Sequence, residues 1–274
     1  MFDTLQTFIA PRLRSFLKLL SIGHFHKKRI VFFSYFGAQY SCNPKYISEY
    51  MQEHHPDFEI IWAFKSPQNF SYLHDKGIKT VKYLHPYFLH VCLTSKFIVT
   101  NSEIPAWFPI MKRQVYINTW HGGGAYKRVG AAYQKETPGK QIRAEIAREV
   151  PCTYVSFTEL TIHQSFHHDG TILSCGMPRN DMLFNNDHPE LHDKIRAYYH
   201  LPSEAKILLY APTYRESKAA SDYLFDCKAI QSALSEKFGG NWFILFRTHY
   251  FVMNQLNNAA NYIDASNYPD MQEL

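Results

Sequence analysis

From Arg29 onward, short runs of β-branched and aromatic residues alternate with longer stretches of helical periodicity, the rhythm of βαβ units around a parallel sheet. The pattern predicts strands at Ile30–Ser34, Glu59–Phe64, Lys79–Tyr83, Lys96–Thr100, Gln114–Thr119, Thr153–Phe157 and Thr171–Ser174. Helices are expected between them, over Pro44–Glu53, Ser66–Lys76, Lys140–Glu149 and Glu159–His167. Consecutive parallel strands must cross over through a helix, so this order implies a doubly wound sheet. After the polar stretch Asn185–Pro202 a second series begins, with strands at Lys206–Ala211 and Trp242–Arg247 and a helix near Asp226–Lys237. The expectation is an α/β chain of two lobes, residues 29–190 and 191–274, preceded by a distinct segment over 1–28.

That first segment has its own pattern. Phe2, Leu5, Ile9, Leu13, Phe16 and Leu20 recur every three or four positions, Arg14 and Lys18 fall on the opposite face, and Lys27, Lys28 and Arg29 follow. Such a basic amphipathic helix either lies in an anionic membrane surface or docks on the protein's own core. Pro11 is expected to split it into a short turn and a helix starting near that proline. No apolar run approaches the roughly 18–20 residues that span a bilayer. Arg12, Arg14 and Lys18 interrupt the uncharged stretch that a signal peptide needs.

Composition narrows the classes. With 46% hydrophobic and 19% charged residues over 274 positions, the chain can bury one large or two medium cores. The formal charge of +5 favours anionic partners without naming one. The five cysteines, Cys42, Cys92, Cys152, Cys175 and Cys227, are odd in number, widely spaced and in no CxxC arrangement, so neither a disulfide framework nor a zinc site is indicated.

In open parallel sheets ligands bind at the carboxyl ends of strands, and four loops in such positions carry chemistry. Thr119-Trp120-His121-Gly122-Gly123-Gly124 leads into Lys127 and Arg128. Its glycines let backbone N–H groups approach an anion, and His121 is placed as a general base. A glycine turn merely capped by a histidine reads the same residues structurally. Gly176-Met177-Pro178-Arg179-Asn180-Asp181 presents either a guanidinium for phosphate or a structural Arg179–Asp181 turn. Ala211-Pro212-Thr213-Tyr214-Arg215 offers a hydroxyl and a cation at the next strand end, or an ordinary βα turn. Arg247-Thr248-His249 places a cation and an imidazole at the last, or a histidine packed among rings. No carboxylate cluster points to a metal, and His163 and His167, at helical i, i+4 spacing, read as a solvated helix face.

Taken in order, WHGGGAYK at Trp120–Lys127, GMPRND at Gly176–Asp181, APTYR at Ala211–Arg215 and RTH at Arg247–His249 resemble the CDP-glycerol:poly(glycerophosphate) glycerophosphotransferase family. Ser34, Gly37, Tyr40, Asn43 and Pro44 are similar to that family's first loop. The resemblance implies a GT-B-like architecture of two Rossmann-like lobes, an N-terminal acceptor lobe and a C-terminal nucleotide-donor lobe. It implies transfer of glycerol phosphate, or another polyol phosphate, from a CDP-activated donor to a teichoic-acid or capsular polymer or a lipid-linked acceptor. The resemblance further implies release of CMP at the cytoplasmic face of the membrane, with no cofactor and no nucleic-acid partner. His121 then deprotonates the acceptor hydroxyl and His249 contacts the donor pyrophosphate or the leaving CMP. Gly122, Gly123, Lys127, Arg179, Asp181, Thr213, Arg215 and Arg247 would contact the substrates' phosphates.

The chain departs from the family at Gly123-Gly124, where most members have Thr-Pro, and at Tyr250, where proline is usual. It also stops at Leu274, before the serine loop expected later in the second lobe. A half-built sheet is expected from that stop, with low solubility or low stability unless another chain covers it, and inactivity of the chain alone. The alternatives are a GT-B glycosyltransferase or nucleotide-sugar epimerase, and a non-catalytic binding remnant.

Overall fold

The computed structural model describes residues 2–19, 21–105, 107–122, 152–156, 170–184, 189–212, 225–247 and 262–274, with the backbone only at 2–8, 154 and 156. The chain divides into two compact units, Met1–Phe184 and Asn185–Leu274.

In the first unit α1 (Phe2–Leu19) precedes β1 (His26–Phe33), α2 (Cys42–His54), β2 (Glu59–Phe64), β3 (Lys79–Lys82) and α3 (Pro86–Thr94). Then come β4 (Ser95–Thr100), β5 (Val115–Asn118), β6 (Thr153–Ser156) and β7 (Ile172–Ser174). These seven strands form one sheet in the order β3-β2-β1-β4-β5-β6-β7, and every neighbouring pair is parallel. Strands buried on both faces need no polar alternation, which is why Ile30–Phe33 and Ile60–Phe64 read as continuous apolar runs. Successive side chains still point to opposite faces. Val31, Phe33, Ile61, Ala63 and Ile98 pack with Phe88, Val91 and Cys92 of α3 on one side. Ile30, Phe32, Ile60, Trp62 and Phe64 pack with Leu73, Ile47 and Met51 on the other. Trp62, fully buried, donates its indole N–H to Ser48 Oγ at 2.9 Å, so this large ring brings no unpaired polar atom into the core.

The strand order reverses between β1 and β4. That is the switch point where a doubly wound sheet opens a crevice beyond the carboxyl ends of its strands. Phe33 pairs with Thr100 in register, so Ser34 and Asn101 leave the sheet side by side.

The predicted strands recur within one residue at each end, except that β1 begins four residues earlier, at His26. Pro44–Glu53 extends to Cys42–His54. The Ser66–Lys76 segment is a 3-10 stretch, Pro67–Lys76, broken at Phe70, because Phe70 stacks on Phe64 at 3.8 Å and Leu73 is drawn into the core. The predicted helices Lys140–Glu149 and Glu159–His167, with His163 and His167, lie outside the described residues.

The expectation for residues 1–28 needs two corrections. Pro11 does not split the segment, since α1 runs unbroken through it; a proline removes one N–H donor and crowds the carbonyl four residues back, and the burial of Ala10, Arg14 and Leu17 offsets that local penalty. Nor does Arg14 lie on the solvent face. Ala10, Arg14 and Leu17 are buried while Ile9, Phe16 and Leu19 are exposed. The long aliphatic stem of an arginine can cover apolar surface, so charge alone did not give the helix its orientation.

In the second unit α4 (Pro189–Tyr198), β8 (Lys206–Tyr210), α5 (Cys227–Phe238), β9 (Trp242–Phe246) and β10 (Ile263–Asp264) follow. Three parallel strands lie in the order β10-β9-β8, around Ile195, Leu245, Ala265 and Tyr268. β10, two residues long, is below the length at which periodicity is legible.

The loop after β1 depends on Gly37, whose φ is +76° and where a Cβ would lie 2.8 Å from Tyr83 Cβ. Gly37→Ala is therefore expected to destabilise the first unit by about 1–3 kcal/mol. An unchanged urea midpoint would show that the loop relaxes freely.

Candidate active site

β5 ends at Asn118, and the three residues beyond it turn the chain toward β4. Thr119 N–H still bonds the Thr100 carbonyl at 2.8 Å, extending the β4–β5 pairing by one residue. Asn118 Oδ1 then accepts the Trp120 N–H at 2.9 Å, and Trp120 takes φ +50°, a left-handed conformation that bulky residues rarely adopt. The turn brings His121 Nδ1 to 2.7 Å from the Asn101 carbonyl. A carbonyl only accepts, so Nδ1 carries the proton and the neutral ring presents Nε2 as a lone pair. The ring sits between Trp120, at 4.3 Å between centroids, and Tyr35, at 5.5 Å. Tyr35 is held in turn, its N–H bonded to Asn101 Oδ1 at 2.8 Å. Burial holds the His121 pKa below the ordinary histidine value; the Asn101 bond opposes this and the Arg179 charge adds to it. The imidazole is therefore neutral at neutral pH, the form a general base needs.

Arg179 lies in the 3-10 turn Pro178–Leu183 beyond β7. Its Nη1 donates to the His121 carbonyl at 2.8 Å and to Cys42 Sγ at 3.1 Å. Asp181 is exposed and forms no ion pair with Arg179 among the described residues; the guanidinium reaches β5's loop instead. Asn43, fully buried in the first turn of α2, completes the brace. Its Oδ1 accepts the Arg179 N–H at 3.2 Å, and its Nδ2 lies 3.1 Å from the Trp120 carbonyl and 3.3 Å from Met177 Sδ. One asparagine and one arginine thus tie α2, the loop after β5 and the turn after β7 around His121. Gly122 follows, where a Cβ would approach Trp120 Nε1 at 3.3 Å.

Of the sequence-predicted residues, His121, Gly122, Arg179 and Asp181 lie at the carboxyl ends of β5 and β7. Arg247 lies in the second unit, after β9, where Nη1 donates to the carbonyls of Ala265 at 3.0 Å and Tyr268 at 2.7 Å. His249, Gly123, Lys127, Thr213 and Arg215 lie outside the described residues. Tyr35, Asn101 and Asn118, at the ends of β1, β4 and β5, were not singled out as site residues. The rule that chemistry follows strand ends would have found Asn101, directly after Lys96–Thr100. Among the described residues no three His, Cys, Asp or Glu side chains cluster as metal ligands.

The sequence model described as CDP-Glycerol:Poly(glycerophosphate) glycerophosphotransferase matches residues 15–274. The chain is 34% identical to a teichoic acid poly(glycerol phosphate) polymerase of Staphylococcus epidermidis, over 90% of this chain and 36% of that protein. It is 28% identical to the Bacillus subtilis polymerase of the same description, over 90% and 35%. The chain therefore spans about a third of the length of these curated relatives. A solved structure of the wall teichoic acid polymerase TagF, a histidine-to-asparagine variant soaked with CDPG, superposes with a TM-score of 0.74 at 30% identity, covering 99% of this chain and 71% of that one. The α/β, GT-B-like fold is shared.

By NMR, the His121 ring is expected to titrate below 6.5, and Arg179→Gln to raise that midpoint only in part, because burial is the larger cause. The unfolded chain would take up this proton first as pH falls. The site's stabilising contribution, intact above the unfolded-state pKa, is lost as pH falls through the folded one. A midpoint at or above 6.5 would contradict the assignment.

Proposed function

The chain belongs to the CDP-glycerol:poly(glycerophosphate) glycerophosphotransferase family, and from that membership we propose that it transfers glycerol phosphate, or another polyol phosphate, from a CDP-activated donor to a teichoic-acid or capsular polymer end, releasing CMP. The observation that carries this reading is the His121 ring, fixed by the Asn101 carbonyl so that Nε2 is the free base.

In the reaction Nε2 takes the proton of the acceptor's terminal hydroxyl. The oxygen forms a bond to the donor's β-phosphorus, the bond from that phosphorus to the bridging oxygen breaks, and CMP leaves with the electron pair. Phosphoryl transfer asks the protein chiefly for positioning and charge stabilisation, and the brace through Asn43 and Arg179 supports the first. His249, Lys127, Thr213 and Arg215 are assigned to donor phosphates by family pattern, with Gly122 and Gly123 offering backbone N–H groups.

The N-terminal segment supports a peripheral place at the anionic cytoplasmic face of the membrane. No helix among the described residues is long and apolar enough to cross a bilayer. α1 and the residues after it instead turn outward Phe16, Leu19 and Ile22, the last two 73% and 75% exposed, and the exposed Lys27 and Lys28 follow in the chain. Each basic residue near an anionic leaflet adds on the order of 1 kcal/mol.

His121→Ala is expected to lower CMP release from CDP-glycerol about 10²–10⁴-fold, with affinity for the donor largely kept. Turnover equal to the parent's would remove His121 from the chemistry, and UDP release from UDP-sugars without CMP release from CDP-glycerol would move the chain to glycosyl transfer. Replacing Phe16 and Leu19 together by Glu should weaken binding to phosphatidylglycerol vesicles by about tenfold or more, given roughly 1.5–3 kcal/mol per large apolar side chain buried. Equal partitioning of parent and variant would exclude this face as the contact.

A further inference from the structure

Buried polar groups are nearly always hydrogen-bonded, and an orphaned one costs enough to need a reason. Among the described residues of the first unit three buried side-chain atoms have no partner: Ser34 Oγ, Asn101 Nδ2 and Arg179 Nε. All three can donate; Asn101 and Arg179 bond to His121, and Ser34 precedes Tyr35, whose ring lies 5.5 Å from the imidazole. Asn101 holds the imidazole through its carbonyl and the Tyr35 N–H through Oδ1. Ser34 leaves the sheet beside Asn101 and immediately precedes Tyr35. Arg179 grips the His121 carbonyl and Cys42 Sγ by Nη1 alone, which fixes the guanidinium plane and leaves its Nε side unused.

Charge adds to this. The bond to Cys42 sets the cation at the first turn of the 13-residue helix α2, the positive end of that helix's dipole. Ser41, at the N-cap, makes no capping bond with its side chain, and its hydroxyl goes to Gln39. No carboxylate among the described residues pairs with Arg179 to offset the charge. An unpaired guanidinium N–H on an arginine held at a positive helix end, with an unpaired amide and an unpaired hydroxyl at the neighbouring ends of β4 and β1, suits a group that only accepts and carries negative charge, which is a phosphate oxygen.

We propose that Ser34, Asn101 and Arg179 form a subsite for the last phosphodiester of the acceptor chain, the phosphate one polyol unit back from the attacking hydroxyl. The assignment rests on the transfer reading above and deepens it. In such an acceptor a short polyol joins this phosphate to the hydroxyl that reacts. A subsite bonded to the backbone of the base itself can therefore set that hydroxyl against Nε2. It makes the enzyme prefer an acceptor already ending in polyol phosphate over the free polyol. The unpaired donors are then a stability cost kept for binding, and shielding from bulk water strengthens the bonds they would make.

The test is calorimetric titration of the whole chain with glycerophosphoglycerol, a phosphodiester bearing two glycerols, and separately with CDP-glycerol and with glycerol. The parent is expected to bind the phosphodiester and not glycerol. Ser34→Ala should weaken phosphodiester binding about 3–10-fold with CDP-glycerol affinity unchanged, and Arg179→Gln should weaken phosphodiester binding about 10–100-fold. Ser34→Ala should also leave Tm equal or higher, since it removes an unpaired buried hydroxyl; this variant keeps the test open if Arg179→Gln misfolds. Failure of the parent to bind the phosphodiester, or unchanged affinity in Ser34→Ala, overturns the subsite. So does loss of CDP-glycerol affinity with phosphodiester binding retained, which gives the phosphate to the donor. Phosphodiester binding in a chain that releases no CMP would instead sink the transfer reading and leave the subsite standing.

Discussion

The hydrogen bond from His121 Nδ1 to the Asn101 carbonyl is the constraint on which the chemistry of this site depends. A histidine at a strand tip is only a candidate base until something decides which nitrogen carries the proton. Here a backbone carbonyl decides it, and the decision is hard to undo by mutation because no side chain supplies the acceptor. The bond exists because β4 and β5 are adjacent and parallel, so that the residues just past their ends meet. It also needs Trp120 in a left-handed conformation, which Asn118 supports from below and Asn43 from the side. The sheet order, the strained residue and the tautomer are thus successive consequences of one topology.

The polar residues around this bond divide into those whose hydrogen bonds are spent on the fold and those with capacity left over. Asn43 spends both ends of its amide on backbone atoms and on Met177. Arg179 is intermediate, with Nη1 committed to the fold and Nε free of partners. Such division lets one arginine locate a loop and still present charge. It also explains why Arg179 lowers the His121 pKa while holding its carbonyl: a guanidinium placed to brace the base cannot avoid opposing the base's protonation, and the neutral form is favoured as a by-product of positioning.

Much of the first unit was legible in the sequence because strands covered on both faces need only be apolar, and Ile30–Phe33 or Ile60–Phe64 can hardly be read otherwise. His121 was legible through its place after such a run. Asn43 stood out only as part of a family-like loop, and its role depends on contacts 76 to 136 residues away, which no local pattern encodes. α1 failed for a related reason. Its periodicity was read correctly as helical, but the face that packs is set by what lies beneath it, and a helix carrying Leu17 and Arg14 on one side and Phe16 and Leu19 on the other can turn either stripe inward. Hydrophobic pattern names the element; the neighbour chooses the face.

The same logic bears on what an enzyme of this kind must distinguish. A base that is neutral and correctly tautomeric will accept a proton from many hydroxyls, and water is the most abundant of them. Selectivity therefore has to come from holding the right hydroxyl, not from the strength of the base. In a polymer whose repeat is a polyol joined by phosphate, the feature nearest the reacting hydroxyl that water lacks is the preceding phosphodiester. In the proposed subsite, a cation bonded to the base's own backbone would measure the distance between that phosphate and the hydroxyl with the fewest intervening parts. The left-handed turn at Trp120, costly in isolation, carries the residue whose ring bonds the Asn101 carbonyl and whose own carbonyl holds the cation, so base and cation are fixed through one residue.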